Sequence, residues 1–467
     1  MRSFAPWLML GLLASACGNV KSGGLADAPT VGDSQVDSSP SPVVKATVLT
    51  TLGDGLPDIA ARLVFQDASG GVVLDEQVDA VGGQQADLTM GGSVSAVRVV
   101  SDTPATLSVE ITTITGVKPG DDLTFGVKRP GTVTNQGGQT SMTATFTGVP
   151  AAGSHTFYTA CGSSTVPAEA TTVTLNFRDS CHGDTFDLLA VASGGTLTAP
   201  MSLKLTNINY TSGGSFTIPD RFAAMASFTV NMANIVDPVS SLSVTRSSLI
   251  DSAAVAAQST AVVDPPAGAF STAVPFTASF GTRSQVVISM SRPDAKVSQT
   301  FVVQTPTLAP SVNVDLGTLQ LPWLKDLVLK PDGGAWTTVV PGDDPDGMVT
   351  FWSGSWDNGA RTVTVAWRVV HPAASAGMTL PRLPAAYAAY DPGQQVVEVT
   401  PTTLLLNIVD YDTVAGYDEF RRMPETLIGS VANLGAFVGM PFQRRSVVAL
   451  ARNAVAGAER ELPPLSE

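Results

Sequence analysis

Histidine, the side chain that most often transfers protons in enzymes, occurs only three times in this 467-residue chain. His155, His182 and His371 are widely spaced, and none lies in a pattern that pairs it with a nucleophile or a metal-binding glutamate. The sequence contains no Gly-x-Ser-x-Gly, His-Glu-x-x-His, Cys-x-x-Cys or phosphate-binding-loop motif. We therefore expect surface or strand-end histidines and predict no catalytic residues, no cofactor and no metal site.

Two groups of carboxylates are the next candidates for chemistry. The first group flanks a short helix, predicted over residues 417–423 and ended by Pro424, and consists of Asp410, Asp412, Asp418 and Glu419. A pair of carboxylates is the machinery of a glycosidase, so a hydrolase is one alternative. Nothing in the sequence fixes the separation of these carboxylates, and solvated loop acids are far commoner than catalytic ones.

The second group is the acidic run of residues 343–346, which precedes two tryptophans. Oxygen-rich loops bind calcium, but this run does not fit an EF-hand and is interpreted as a plain turn. Trp352 and Trp356 follow on a Gly/Ser-rich stretch that we predict to be an exposed loop. Because aromatic faces stack on sugars, a carbohydrate-binding site is an alternative, with the residues Trp352, Trp356, Asp343, Asp344 and Asp346. The other interpretation is that these rings fill a core, as is predicted for Trp367.

The elements that must carry these residues are strands. Charged residues make up only 14% of the chain, and its valine, threonine, serine and glycine content favours strands over helices. Residues 142–146, 173–177 and 363–369 alternate between apolar and polar side chains. The net charge of −14 argues against nucleic acid as a partner, because that requires basic clusters. We predict an all-β chain of tandem antiparallel sandwiches, either immunoglobulin-like or transthyretin-like.

Residues 1–17 resemble a bacterial lipoprotein signal peptide. An apolar run at residues 4–13, too short to span a bilayer, is followed by small residues at 14–16 and then by Cys17. The resemblance implies cleavage before Cys17, lipidation of its sulfur and a membrane anchor, and the glycine after the cysteine favours the outer membrane. Ala14 stands where such peptides usually have leucine, so cleavage by an ordinary signal peptidase is the alternative.

Cys161 and Cys181 are the remaining cysteines. An even pair in an exported chain favours a disulfide. Both residues flank predicted strand ends, where a hairpin can bring Cα atoms within about 6 Å. Closing a loop of this size is worth about 3 kcal/mol. The alternative is a metal or nucleophilic site with His182, but a fourth ligand is missing nearby.

Residues 45–127 resemble the carboxypeptidase-regulatory-like, transthyretin-like β-sandwich. The resemblance rests on the glycine turn at residues 67–71, the motif GGQQADL at residues 82–88, the motif GGSVSAVR at residues 91–98, and the segment at residues 114–126. It implies an accessory or adhesive module without catalytic residues of its own. The following region is similar to part of uncharacterised bacterial lipoproteins, to which no activity is attached.

These observations predict six segments: a signal peptide (1–16), a lipid-anchored tether (17–44), the carboxypeptidase-regulatory-like sandwich (45–127), a disulfide-containing sandwich (128–236), a β-rich domain (237–318) and a tryptophan-containing β domain with a short helix (319–467). The predicted function is a non-catalytic surface, adhesion or interaction scaffold of the cell envelope. Its expected partners are the membrane, through the lipid, and an envelope protein or polysaccharide.

Overall fold

Strands form most of the chain that can be described. The computed structural model describes residues 43–49, 61–79, 81–88, 91–126, 140–149, 151–177, 182–235, 239–250, 253–277, 280–281, 283–292, 297–305, 310–340, 344–373, 376–423 and 443–452. The predicted signal peptide, Cys17 and nearly all of the tether lie outside these ranges. Signal cleavage and lipidation therefore stay predictions.

The strands are numbered in chain order, and the four groups that they form along the chain are called the first, second, third and last segments. The first segment holds β1 to β7: Val43–Leu49, Ala61–Gln66, Val72–Val78, Val81–Asp87, Gly92–Asp102, Thr106–Val117 and Asp122–Phe125. The second holds β8 to β15: Thr140–Phe146, Ser154–Thr159, Gly162–Pro167, Thr172–Phe177, Thr185–Ser193, Met201–Asn209, Ser215–Ile218 and Ala223–Ala224. The third holds β16 to β22: Ala226–Ile235, Ser241–Ile250, Ala253–Val263, Gly268–Phe276, Arg283–Ser291, Val297–Thr305 and Ser311–Asp315.

The last segment holds β23 to β29: Trp323–Lys330, Gly333–Val340, Gly347–Asp357, Thr362–His371, Met378–Thr379, Thr400–Tyr411 and Gln443–Arg452. In the described ranges the helical turns are short: α1 spans Leu316–Leu319, α2 spans Tyr417–Phe420, and two 3-10 helices span Ala385–Tyr390 and Pro392–Gln394. The helix predicted over residues 417–423 thus begins at the expected residue and continues as a hydrogen-bonded turn to Met423. The prediction of an all-β chain is confirmed.

A sheet of 12 strands connects three of the four segments. Its order is β18-β17-β20-β21-β29-β28-β25-β26-β6-β5-β2-β3. Its strand pairs are antiparallel except for β6 with β26, which run parallel and place Val109 opposite Val365. Because of this pair, the first segment continues a sheet built from the last one.

The core of the first segment is completed by residues of the last segment. The three-stranded sheet β4-β1-β7 packs over the β6-β5-β2-β3 end of the long sheet and buries Leu63, Phe65 and Leu123. The same core includes residues of the last segment, which lie more than 200 positions further along the chain: Val349, Val370, Val409, Tyr411 and Phe420. Part of the apolar surface that packs against residues 45–127 is therefore supplied by the last segment.

The two faces of the long sheet belong to different cores, as the period of two along a strand requires. In β25, Met348 packs with Trp323 and Trp336 on one face. Its neighbour Val349 packs with Leu123 on the other face. On the Met348 side, the sheets β19-β16-β22 and β23-β24-β27 supply the covering layer.

The second segment is a sandwich with its own core. Sheet β10-β9-β12-β13-β15 faces sheet β11-β8-β14 across a core that includes Met142, Phe157 and Leu188. Strand β16 pairs with β19 and β22, so the change to the third segment comes before Ala226, whereas the sequence placed it after residue 236.

Candidate functional site

Trp352 and Trp356, the centre of the predicted sugar site, are not on a loop. Both lie in β25, where they are 0% and 3% exposed. The Trp352 indole donates its Nε1 hydrogen to the Lys330 carbonyl oxygen at 3.0 Å, and its ring lies over Gly354, where a Cβ atom would come within 2.5 Å. The prediction of exposed rings is wrong, and the alternative interpretation that they complete a core is confirmed.

The other tryptophans in the described part of the chain are also buried. Trp323, Trp336 and Trp367 are at most 2% exposed. Trp367 donates its Nε1 hydrogen to the Thr113 hydroxyl at 3.0 Å, which adds a polar contact between β26 and β6. These rings join segments that are distant in sequence, and their burial keeps them from stacking on a ligand.

The acidic turn beside the tryptophans is only partly described. Asp343 lies outside the described ranges, and Asp344 is exposed. Asp346 is 4% exposed, and its two oxygens accept the backbone N–H groups of Tyr411 at 2.8 Å and Gly416 at 2.9 Å. A carboxylate that accepts backbone hydrogens in this way fixes the chain entering α2, and this differs from the ligand-binding role predicted for Asp346.

The strongest concentration of charge lies where α2 meets the turn between β6 and β7. We call it the Arg421 cluster, and it consists of Lys118, Asp121, Asp418 and Arg421. Arg421 is 2% exposed and Asp121 is 5% exposed. The Arg421 guanidinium donates from Nε and Nη2 to the two oxygens of Asp121, at 2.7 Å and 3.1 Å. It also donates from Nη1 to Asp418, which accepts from Lys118 Nζ at 2.6 Å.

Backbone turns on both sides of this cluster position its side chains. Asp121 closes a tight turn, in which Gly120 has a φ of +88° and the Asp121 carboxylate accepts the Lys118 backbone N–H at 2.7 Å. On the other side, Gly416 with a φ of +75° begins α2 and sets Arg421 one turn later. The cluster then joins residues that are 300 positions apart.

The electrostatics of the cluster fix the protonation states of Asp418 and Tyr417. Hydrogen bonds from Lys118 and Arg421 lower the pKa of Asp418 to about 2. Burial raises the pKa of Tyr417, whose hydroxyl donates to the carbonyl oxygens of Thr115 and Val370. These groups keep their protonation state across the neutral range, so the arrangement suits a structural lock between segments rather than proton transfer.

A second polar contact fastens the 3-10 helical segment to the edge of the long sheet. The Tyr387 hydroxyl donates to Asp75 at 2.6 Å and accepts from Arg62 Nε at 2.7 Å. Burial and the Asp75 hydrogen bond raise the pKa of Tyr387 to about 12. This contact, like the Arg421 cluster, uses ionisable side chains to join distant parts of the chain.

Two histidines are at strand ends, as predicted, but they are buried rather than at the surface. His155 is 0% exposed and accepts the Val149 backbone N–H at 2.9 Å. His371 ends β26, where its ring nitrogens contact the Thr350 hydroxyl and the Pro372 carbonyl oxygen at 2.8 Å each. Burial lowers the pKa of His155 and lowers the pKa of His371 to about 4. Both rings are therefore neutral at physiological pH.

Cys161 follows β9 and packs partly buried against the core of the second segment. Cys181 lies outside the described ranges, so the pairing of these two cysteines stays a prediction. Among the residues that the structure describes, no group of three or more His, Cys, Asp or Glu side chains could hold a metal ion. None of the helices in those ranges is long and apolar enough to cross a membrane.

Sequence reasoning missed Asp121 and Arg421. Asp121 was visible only as part of a turn motif, and Arg421 only as a residue of the predicted helix. One arginine of the pair Arg421–Arg422, in a short helix beside acids at i−3 and i−2, is a weak signal. The contact that gives both residues their role depends on the pairing of β6 with β26.

No family model and no curated protein matches the chain. Among solved structures, the Bacillus anthracis TIE protein is 8% identical, with 58% of this chain and 49% of that chain covered and a TM-score of 0.13. A proposed adhesin from Bacteroides ovatus is 10% identical, with 64% of this chain and 100% of that chain covered and a TM-score of 0.18. The chain spans about half the length of the first of these structures. TM-scores this low carry no argument about function, and the conclusion that stands is an all-β protein of several antiparallel-rich sheets.

Proposed function

We propose that this protein is a lipid-anchored, non-catalytic scaffold of the bacterial cell envelope that serves in surface adhesion or partner binding. The proposal rests on the contacts that the ionisable side chains of this protein make. Arg421 with Asp121, Tyr387 with Asp75, and Asp346 with the chain before α2 each hold distant segments together. Ionisable side chains that hold segments together in this way suit a rigid support.

The anchor of this scaffold is Cys17, lipidated after removal of the signal peptide, with residues 17–44 as the tether to an outer membrane. Residues 45–127 supply a transthyretin-like module, and a disulfide between Cys161 and Cys181 stabilises the second sandwich. The anchor and the module rest on the sequence resemblances, and the disulfide rests on the even pair of cysteines in an exported chain. The sugar-binding alternative loses its support because Trp352 and Trp356 are buried.

Fractionation with the Cys17→Ala variant tests the anchor. The full chain, expressed with its own signal peptide in a Gram-negative host, is expected to partition into the detergent phase of a Triton X-114 extract. Cys17→Ala is expected to move to the aqueous phase, since it lacks the thioether that carries the lipid. Equal membrane retention of both forms would contradict the lipid anchor.

Binding to envelope material tests the scaffold role. The soluble Cys17→Ala protein is incubated with peptidoglycan sacculi and, separately, with outer-membrane vesicles, and is then sedimented over a range of concentrations. A scaffold is expected to sediment saturably with one of these materials and to leave it chemically unchanged by mass spectrometry. Release of cleaved sugar or peptide fragments, or no sedimentation with either material, would contradict the proposal.

A further inference from the structure

Arg246 occupies an unusual position in the third segment. It lies in β17 on the face that carries Leu242 and Val244 into the core, and it is only 2% exposed. Its strand neighbours are Val286 in β20 and Gln258 in β18. A guanidinium thus occupies an inward-facing position that directly follows two apolar inward residues of the same strand, Leu242 and Val244.

The surroundings of Arg246 are aromatic rings and serine hydroxyls. The guanidinium carbon lies 4.3 Å from the centre of the Phe276 ring and 5.2 Å from that of Phe228. Nη2 donates to the Ser284 hydroxyl oxygen at 3.0 Å. Nε is buried and has no hydrogen-bond partner among the described residues. Ser248, opposite Ser284 in the register, is also buried.

Arg421 provides the comparison within the same molecule. Both arginines are 2% exposed, but Arg421 faces the carboxylates of Asp121 and Asp418. Burial lowers the pKa of Arg246 to about 10, and none of the carboxylates in the described ranges offsets this effect. The side chain is still protonated at neutral pH, and an unpaired buried cation is strongly unfavourable. A negative charge at Arg246 would therefore be stabilising.

We propose that Arg246, Ser248 and Ser284 form a binding site for a small carboxylate. The Phe276 and Phe228 rings lie near the guanidinium, and its Nε/Nη2 edge carries the unused Nε donor. That planar edge matches the two oxygens of a carboxylate. The Ser284 oxygen accepts a hydrogen from Nη2, so its own hydroxyl hydrogen is free to be donated. Because Arg246 is 2% exposed, a small carboxylate such as acetate is the appropriate probe.

Calorimetric titration with sodium acetate tests the site, using the full mature chain at pH 7.5 and constant ionic strength. The wild type is expected to give a saturable heat and a rise in the thermal unfolding midpoint as acetate is added. Arg246→Met is expected to abolish both responses. Arg292→Met is the matched control, because Arg292 also lies over an aromatic ring, that of Trp323 at 5.4 Å, and its loss should leave acetate binding intact.

Ser284→Ala keeps the guanidinium, so it still tests the site if Arg246→Met fails to fold. Loss of one hydrogen bond to a charged ligand is expected to weaken acetate binding roughly tenfold. Chloride and phosphate, titrated in parallel, should bind more weakly than acetate because they lack its planar pair of oxygens. No saturable acetate response in the wild type, an equal response in Arg246→Met, or tighter binding of chloride or phosphate would overturn the proposal.

Discussion

Replacing Asp121 with asparagine tests the lock between the first and last segments. The substitution keeps the size of the side chain but removes the negative charge that faces Arg421. Because Arg421 is 2% exposed and Asp121 is 5% exposed, water cannot fully solvate the guanidinium that remains. Breaking a buried ion pair from one side costs about 3–5 kcal/mol. Asp418 still contacts Arg421 in the variant, so we expect the lower end, about 3 kcal/mol.

Asp418→Asn is the matched control. Asp418 contacts the same arginine, but its side chain is 52% exposed, and exposed ion pairs contribute about 0–1 kcal/mol. Urea unfolding of both variants, followed by circular dichroism and tryptophan fluorescence, measures the free energy of the first transition. If Asp121→Asn costs no more than Asp418→Asn, the buried pair does not hold the segments together and the reasoning fails.

The remaining predictions concern acid stability, the first segment alone and the cysteines. His371 has a pKa of about 4 when folded, against roughly 6.5 when unfolded, so stability is full above about pH 6.5. The free energy of unfolding should fall by about 1.4 kcal/mol per pH unit as the pH drops toward 4. Measured by urea unfolding at several pH values, this fall should be less steep for His371→Gln. Residues 45–127 expressed alone should lack a cooperative thermal transition, because Val349, Val370 and Phe420 complete their core; a sharp transition would refute this. Alkylation of the unreduced, denatured chain should leave Cys161 and Cys181 unlabelled, and labelling of both would exclude their disulfide.

Alternation along single strands was enough to predict much of the fold. The patterns at residues 142–146 and 363–369 gave the correct strands and the buried position of Trp367. The same rule, extended from Leu242 and Val244, would also have pointed Arg246 inward. These predictions succeed because side-chain direction in a strand is a local property.

The failures have two physical causes. Trp352 and Trp356 were assigned to a loop because serine and glycine surround them, whereas Gly354 is small so that the Trp352 ring can cover it within β25. The Arg421 cluster could not be predicted because it depends on which strands pair. Period-two patterns do not specify a partner strand, and β6 pairs with β26 across more than 200 residues.

The parallel pairing of β6 with β26 joins the first and last segments, and a cysteine cross-link between the two strands tests it. Ser108 and Thr364 are partners in this register, so the Ser108→Cys/Thr364→Cys protein should form a disulfide under mild oxidation. Mass spectrometry of a tryptic digest would identify it. Ser355 lies opposite Thr364 on the far side, roughly 10 Å from Ser108 at two strand spacings, which is beyond disulfide reach. A cross-link is expected for the first pair and none for Ser108→Cys/Ser355→Cys. No cross-link in the first pair, or equal cross-linking in both, would show that β6 does not lie beside β26.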